Sequence, residues 1–305
     1  MTVRGILDAN TKEIAANAYS TRLNFWNFLN FAFRALPLSV KACTIISSFF
    51  PFIAIILPQT KAKSKEFLFC RPVAPVTHVT GIACGNGFFS QGLYCGIAPH
   101  VNIVSIKILD RGGQGNSAQA VRALRWIMDN FRKYNIRVVN LSIGTNDRKV
   151  NLPLKEAVEQ LWQAGIVVVA AAGNPDGHSG HRPPPAVSSG VISVGAWEDR
   201  SYFRSASFSR FTKEDGPDLW AMGDDVISVL SPDYDFTLPN RSRQNMVSNH
   251  YIRMSGASMA TPFVSGAAAL LLERHPRAHP REIKKMLQQL TLPTEGLLTR
   301  EMILT

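Results

Sequence analysis

Three observations predict an α/β fold, doubly wound, with a mostly parallel sheet flanked by helices. From Thr77 onward, short β-rich runs alternate with segments of helical periodicity, joined by short connections. One run, residues 166–170 (Ile-Val-Val-Val-Ala), is almost wholly apolar, as in strands covered on both faces. The 305 residues are 46% hydrophobic and 18% charged, with 21 glycines and 18 prolines, which excludes disordered, collagen-like and disulfide-scaffold chains.

The elements follow in order. Residues 101–108 predict a strand, and Gly112-Gly113-Gln114-Gly115 turns the chain. Ser117 starts a helix with Ala120, Leu124, Ile127 and Met128 on one face. Residues 136–141 form the next strand. Residues 154–162 are helical, and Gly165 ends that helix before the apolar strand. Residues 191–196 and 226–230 supply further strands. Residues 258–274 predict a long helix rich in Ala and Leu, and Pro280-Arg281-Glu282 opens a last amphipathic helix. No internal repeat or low-complexity tract appears.

Residues 1–75 do not share this register. They hold nine basic and three acidic residues of a chain whose net charge is +11. Beyond residue 75 the positive excess is diffuse, without a block of cations, so no nucleic-acid partner is expected. Residues 42–60 are uncharged and dense in Ile and Phe, with Lys41 before them and Lys61, Lys63 and Lys65 after. Their length barely reaches across a bilayer, and Pro51, Pro58 and Ser47-Ser48 oppose a spanning helix. A buried hairpin of strands, or a stretch with no folded role, is the alternative. Upstream, the apolar residues Leu23, Phe25, Trp26, Phe28, Leu29, Phe31, Ala32 and Phe33 suit a helix. Asp8, Lys12 and Glu13 interrupt any early apolar run, so no secretory signal is visible and a cytoplasmic location is favoured over a membrane anchor. The expected organisation is an atypical segment over 1–75, the α/β domain over 76–292 and a tail over 293–305. Cys43, Cys70, Cys84 and Cys95 include no Cys-x-x-Cys pair and no His at ligand spacing, so no zinc site is expected and Cys84 and Cys95 are read as half-buried free thiols.

Two places carry chemistry. In Ser255-Gly256-Ala257-Ser258-Met259-Ala260-Thr261-Pro262, Gly256 permits an unusual backbone angle just before Ser258. Ser258 then stands at the amino end of a helix, either as a cap or as a nucleophile whose developing charge meets free amides. In Ala170-Ala171-Ala172-Gly173-Asn174, Asn174 follows the carboxyl end of the apolar strand, where ligands bind in open α/β sheets. It is either an oxyanion donor or a turn residue before Pro175.

Together with Thr77-His78-Val79-Thr80-Gly81, Gly96-Ile97-Ala98-Pro99, Val139-Asn140-Leu141-Ser142-Ile143-Gly144 and Ser207-Phe208-Ser209, these residues resemble the subtilisin-like serine peptidases (subtilases, peptidase family S8). The resemblance runs from about Thr77 to Leu290. It implies a serine-type endopeptidase in which Ser258 is the nucleophile, and Asn174 with the Ser258 amide forms the oxyanion hole. Ser142, Ile143 and Gly144 on one side and Gly113, Gln114 and Gly115 on the other would flank an extended polypeptide substrate as neighbouring strands. Ala171, Ala172 and Gly173 would wall the pocket for the side chain before the scissile bond, and their small size suggests broad specificity with room for a large apolar group. The resemblance further implies a monomer acting on extended polypeptide substrates, with no cofactor other than calcium. For calcium no site is assignable, because the loop at residues 85–92 carries no carboxylate.

The departures concern the rest of the triad. Where the family has His-Gly-Thr-His-Val, this chain has Pro75-Val76-Thr77-His78-Val79, so the general base is absent from its place. His78 matches the second histidine, which packs beneath the site. No Asp lies between Asp8 and Asp110, and Ile6-Leu7-Asp8-Ala9-Asn10 lacks the glycine of the family's aspartate motif. Without a base a serine hydroxyl attacks amides poorly, so impaired activity is expected, with a non-catalytic pseudoprotease or peptide-binding module as the alternative. The break at Thr77 suits a shifted reading frame, an unremoved insertion, a recombined gene end or a new N-terminal module. The family's sheet takes strands from the region before the histidine, so a sheet incomplete on that side is expected, with an open edge at the strand near Val101.

Overall fold

The computed structural model describes residues 52–58, 74–109, 115–144, 152–174, 182–198, 204–205, 211, 215–232, 234–238, 241–291, 297–299 and 303. All fall within one compact unit, Phe50–Thr305. The proposed helix at 23–33, residues 42–51, Asp8, Cys43, Cys70, Gly113 and Gln114 lie outside the described residues.

The parallel sheet is built from β1 (Phe52–Pro58), β2 (Asn102–Leu109), β3 (Ile136–Leu141), β4 (Val167–Ala171), β5 (Ile192–Glu198), β7 (Leu219–Met222) and β11 (Leu297–Leu298), in the order β11-β7-β5-β4-β3-β1-β2. A short antiparallel strand, β6 (Arg204–Ser205), pairs with β5. The helices are α1 (Ala74–Cys84), α2 (Ser117–Tyr134), α3 (Leu152–Gln163), α4 (Ala257–Arg274) and α5 (Pro280–Gln289). Among the described residues no helix is long and apolar enough to cross a membrane.

Strand β4 explains the layering. All five of its residues are buried. Val167, Val169 and Ala171 join one core with Val79 and Ala83 of α1 and Ala260 and Val264 of α4. Val168 and Ala170 join a second core with Leu124 and Ile127 of α2 and Leu161 of α3. This alternation is the strand period of two, and helices on both faces are why the run contains no polar residue.

Helix α2 starts where Asn116 accepts from the Gln119 amide while the Gln119 side chain returns to the Asn116 amide, and it ends at Asn135 in the left-handed region. Helix α4 is buried nearly all round. A β-carbon on its Gly266 would lie 2.7 Å from Cβ of Ile97, so only glycine lets this helix approach so closely.

Two findings depart from the expected order. The run at 226–230 does not join the parallel sheet: β8 (Val226–Val229) belongs to a separate antiparallel sheet, β8-β10-β9, with β9 (Met246–Ser248) and β10 (Tyr251–Met254). In addition, the atypical N-terminal stretch supplies a strand. β1 lies between β2 and β3, parallel to both, with Ile55 opposite Ser105 on one side and Asn140 on the other. The strand near Val101 therefore has β1 as a partner and ends the described order on its other side. An uncharged Ile- and Ala-containing run bounded by Pro58 suits an interior strand, so composition unlike the rest of the chain did not prevent it from pairing.

Candidate active site

The start of α4 is shaped by two residues that break helix rules. Gly256 takes φ 140° and ψ 162°, and its amide donates to the Gly223 carbonyl at 2.7 Å. Pro262, inside the first two turns, has no N–H to give the Ser258 carbonyl four residues back. That carbonyl instead accepts from Oγ of Ser142 at 2.8 Å. Ser258 is the second residue of the helix and Gly256 is its cap, so the cap reading of Ser258 does not hold. Its hydroxyl is half-buried and donates to the Ser142 carbonyl at 3.2 Å.

The Ser142 hydroxyl is itself fixed. Asn140, fully buried near the end of β3, donates from Nδ2 to Ser142 Oγ at 2.9 Å, and its Oδ1 accepts from Ser265 of α4 at 2.8 Å. This chain of polar contacts holds the end of β3 against the amino end of α4. Its members are satisfied, as buried polar groups require.

Asn174 lies beyond the carboxyl end of β4 and is exposed. Its Oδ1 accepts from the Ala257 amide at 2.9 Å, which turns Nδ2 toward Gly256; a β-carbon built there would lie 3.2 Å from Nδ2. The amide is anchored by its oxygen, and its nitrogen is the end left to donate. Ala171 and Ala172 are buried, with the Ala172 amide bound to the Val194 carbonyl at 2.8 Å, and Gly173 has φ 90°. Gly144 is exposed, and it and Gly173 both face the ring of Pro183.

His78, on α1, is fully buried. Its Nε2 donates to the carbonyls of Val226 at 3.0 Å and Ile252 at 3.1 Å, and its own carbonyl accepts from Ser228. Burial lowers its pKa to about 4, with the two carbonyl contacts opposing that shift. The ring is neutral at pH 7 and ties α1 to the paired strands β8 and β10. Its Nε2 faces backbone oxygens and its Nδ1 is buried without a hydrogen-bond partner among the described residues, so neither ring nitrogen is bonded to Ser258, whose hydroxyl goes to the Ser142 carbonyl.

Residues 77–300 match the model of the subtilase family. The chain belongs to the subtilase family. Serine protease AprX of Bacillus subtilis (strain 168) is 37% identical to this subtilase over 231 residues, which cover 70% of this chain and 51% of AprX. Subtilisin DY of Bacillus licheniformis is 36% identical over 214 residues, 69% of this chain and 68% of that protein. The chain thus spans about half the length of AprX and two thirds of subtilisin DY. Among solved structures, an S41 psychrophilic protease aligns with a TM-score of 0.64 at 22% identity, over 84% of this chain and 89% of the other. A cold-adapted subtilisin-like serine proteinase aligns with a TM-score of 0.61 at 23% identity, over 83% and 88%. At those identities the likeness speaks for the fold.

In this subtilase the structure brings together Ser258, Asn174, Ser142, Gly144 and Gly173 of the residues singled out in the sequence. Ile143 is half-buried beside Ser142, and Gly115 is exposed before α2. Calcium does not fit the loop at 85–92. Asn86 Oδ1 accepts from the Phe88 amide, and Ser90 Oγ donates to the Gly87 carbonyl and accepts from the Tyr94 amide, so its polar groups serve the loop itself. Among the described residues no group of three His, Cys, Asp or Glu side chains could hold a metal ion. Sequence reasoning missed Asn140, Ser265 and Pro183. An amide among the apolar residues Val138, Val139 and Leu141 was the available signal for Asn140; nothing local marks Pro183.

Proposed function

We propose that this chain is a subtilisin-type serine endopeptidase by descent, with a cleft for extended polypeptides and with hydrolysis impaired at Ser258. One observation carries the reading: the Ser258 hydroxyl donates to the carbonyl of Ser142, an acceptor that cannot take up its proton. The position of the family's base is Pro75, and His78 is turned to the carbonyls of Val226 and Ile252. What supports the rest of the site is the anchored amide of Asn174 beside the amino end of α4, where backbone N–H groups stabilise an oxyanion.

In this reading the peptide main chain adds to the segment at Ser142, Ile143 and Gly144, and the scissile carbonyl points to Asn174 and the Ser258 amide. Attack by Ser258 Oγ would form the tetrahedral centre, but among the described residues no side chain is hydrogen-bonded to that hydroxyl to receive its proton, so the step is slow.

The test is hydrolysis of casein by the purified chain and by Ser258→Ala in parallel. Wild-type turnover within about tenfold of the variant is expected. Wild-type cleavage orders of magnitude above Ser258→Ala would show a working base and overturn the proposed impairment.

A further inference from the structure

Pro183 stands where the two segments assigned to substrate meet. A β-carbon on Gly144 would lie 3.2 Å from Cγ of Pro183, and one on Gly173 would lie 3.1 Å from its Cδ and 3.2 Å from its Cγ. The space left by two glycines is therefore already taken up by one pyrrolidine ring. Small residues at 171–173 alone suggest a roomy pocket; the ring changes that conclusion.

The ring is also held in place. Arg182 Nη1 donates to Oγ of Ser193, fully buried in β5, at 2.9 Å. That hydroxyl donates to Oδ2 of Asp218 at 2.8 Å, and Asp218 is bound by Lys284 of α5 at 2.7 Å. On the other side, the Ala186 amide donates to the Pro183 carbonyl at 2.9 Å, closing a turn. Proline has a fixed φ and no side-chain torsion through which to swing aside, so a ring anchored on both sides resists displacement.

We propose that Pro183 is the specificity-determining residue of this cleft: it fills the pocket for the side chain before the scissile bond and restricts it to small groups such as Ala or Ser. The inference rests on the cleft reading above and names its substrate class. A large side chain entering between Gly144 and Gly173 meets the ring, and forcing extra carbons into occupied space is unfavourable.

The experiment needs no catalysis. Tetrapeptides identical except for a last residue of Ala or Phe are titrated calorimetrically into the full chain and into Pro183→Gly. Wild type is expected to bind the Ala peptide at least about tenfold more tightly than the Phe peptide. Pro183→Gly is expected to shift the ratio of the two affinities toward the Phe peptide by at least about tenfold. Equal or tighter binding of the Phe peptide by wild type overturns the inference and leaves the cleft standing. The wild-type ratio decides the matter even where the variant fails to fold. Failure of every peptide to bind the wild type overturns the cleft reading, and the inference with it.

Discussion

At His78 a single ring serves as a structural strut. Its Nε2 lies 3.0 and 3.1 Å from two backbone carbonyls, and burial lowers its pKa from 6.5 to about 4. Because the folded state holds the proton less well than the unfolded state, the contribution of neutral His78 is fully present above pH 6.5. It is lost as the pH falls from 6.5 toward 4. Urea denaturation of wild type and His78→Gln at pH 7 and pH 4 measures this. Wild type is expected to lose about 3 kcal/mol more than the variant between those values. Parallel losses would mean that the ring does not titrate below its ordinary value in the fold. Pro262 makes a similar point in another currency of structure: by withholding an amide from the Ser258 carbonyl, it creates the acceptor that Ser142 fills.

At the scale of elements, helix α5 is fastened to the sheet by charge. Lys284 lies 2.7 Å from Asp218 Oδ1, while Oδ2 accepts from the amide and hydroxyl of Ser193 in β5. Lys284 also donates to the Val191 carbonyl. The two charged side chains are only 23% and 21% exposed, so this pair is screened less than a surface bridge. Asp218→Ala removes the acceptor for two Ser193 donors and leaves Lys284 without its carboxylate. A loss of about 2 kcal/mol in chemical denaturation is expected. A change under half a kcal/mol would mean that water replaces the carboxylate at little cost. The same substitution also loosens the Ser193 hydroxyl that receives Arg182, next to the ring of Pro183.

For the whole molecule, the placement of β1 governs folding. It pairs with β2 and β3 simultaneously, so its removal opens two strand edges within the sheet. A chain beginning at residue 74 is expected to aggregate or to melt without a cooperative transition. One beginning at Phe50, the start of the compact unit, is expected to melt like the full chain. Calorimetry of the three forms decides this, and a cooperative transition at an unchanged midpoint for the shortest form would sink it.

The sequence determined the parallel core and where Ser258 and Asn174 stand on it. An all-apolar run as short and rich in Val and Ile as residues 166–170 suits a strand covered on both faces, and helical periodicity at short spacing supplies the cover. Local motifs likewise placed Ser258 and Asn174, because a glycine-preceded helix start and a strand's carboxyl end are written in adjacent residues. Tertiary structure alone decided that Phe52–Pro58 is an interior strand, that His78 faces the carbonyls of Val226 and Ile252, and that Pro183 meets Gly144 and Gly173. Most of those contacts join residues far apart in the chain. Periodicity reports which face of an element is apolar, but not which distant backbone or ring comes to lie against it.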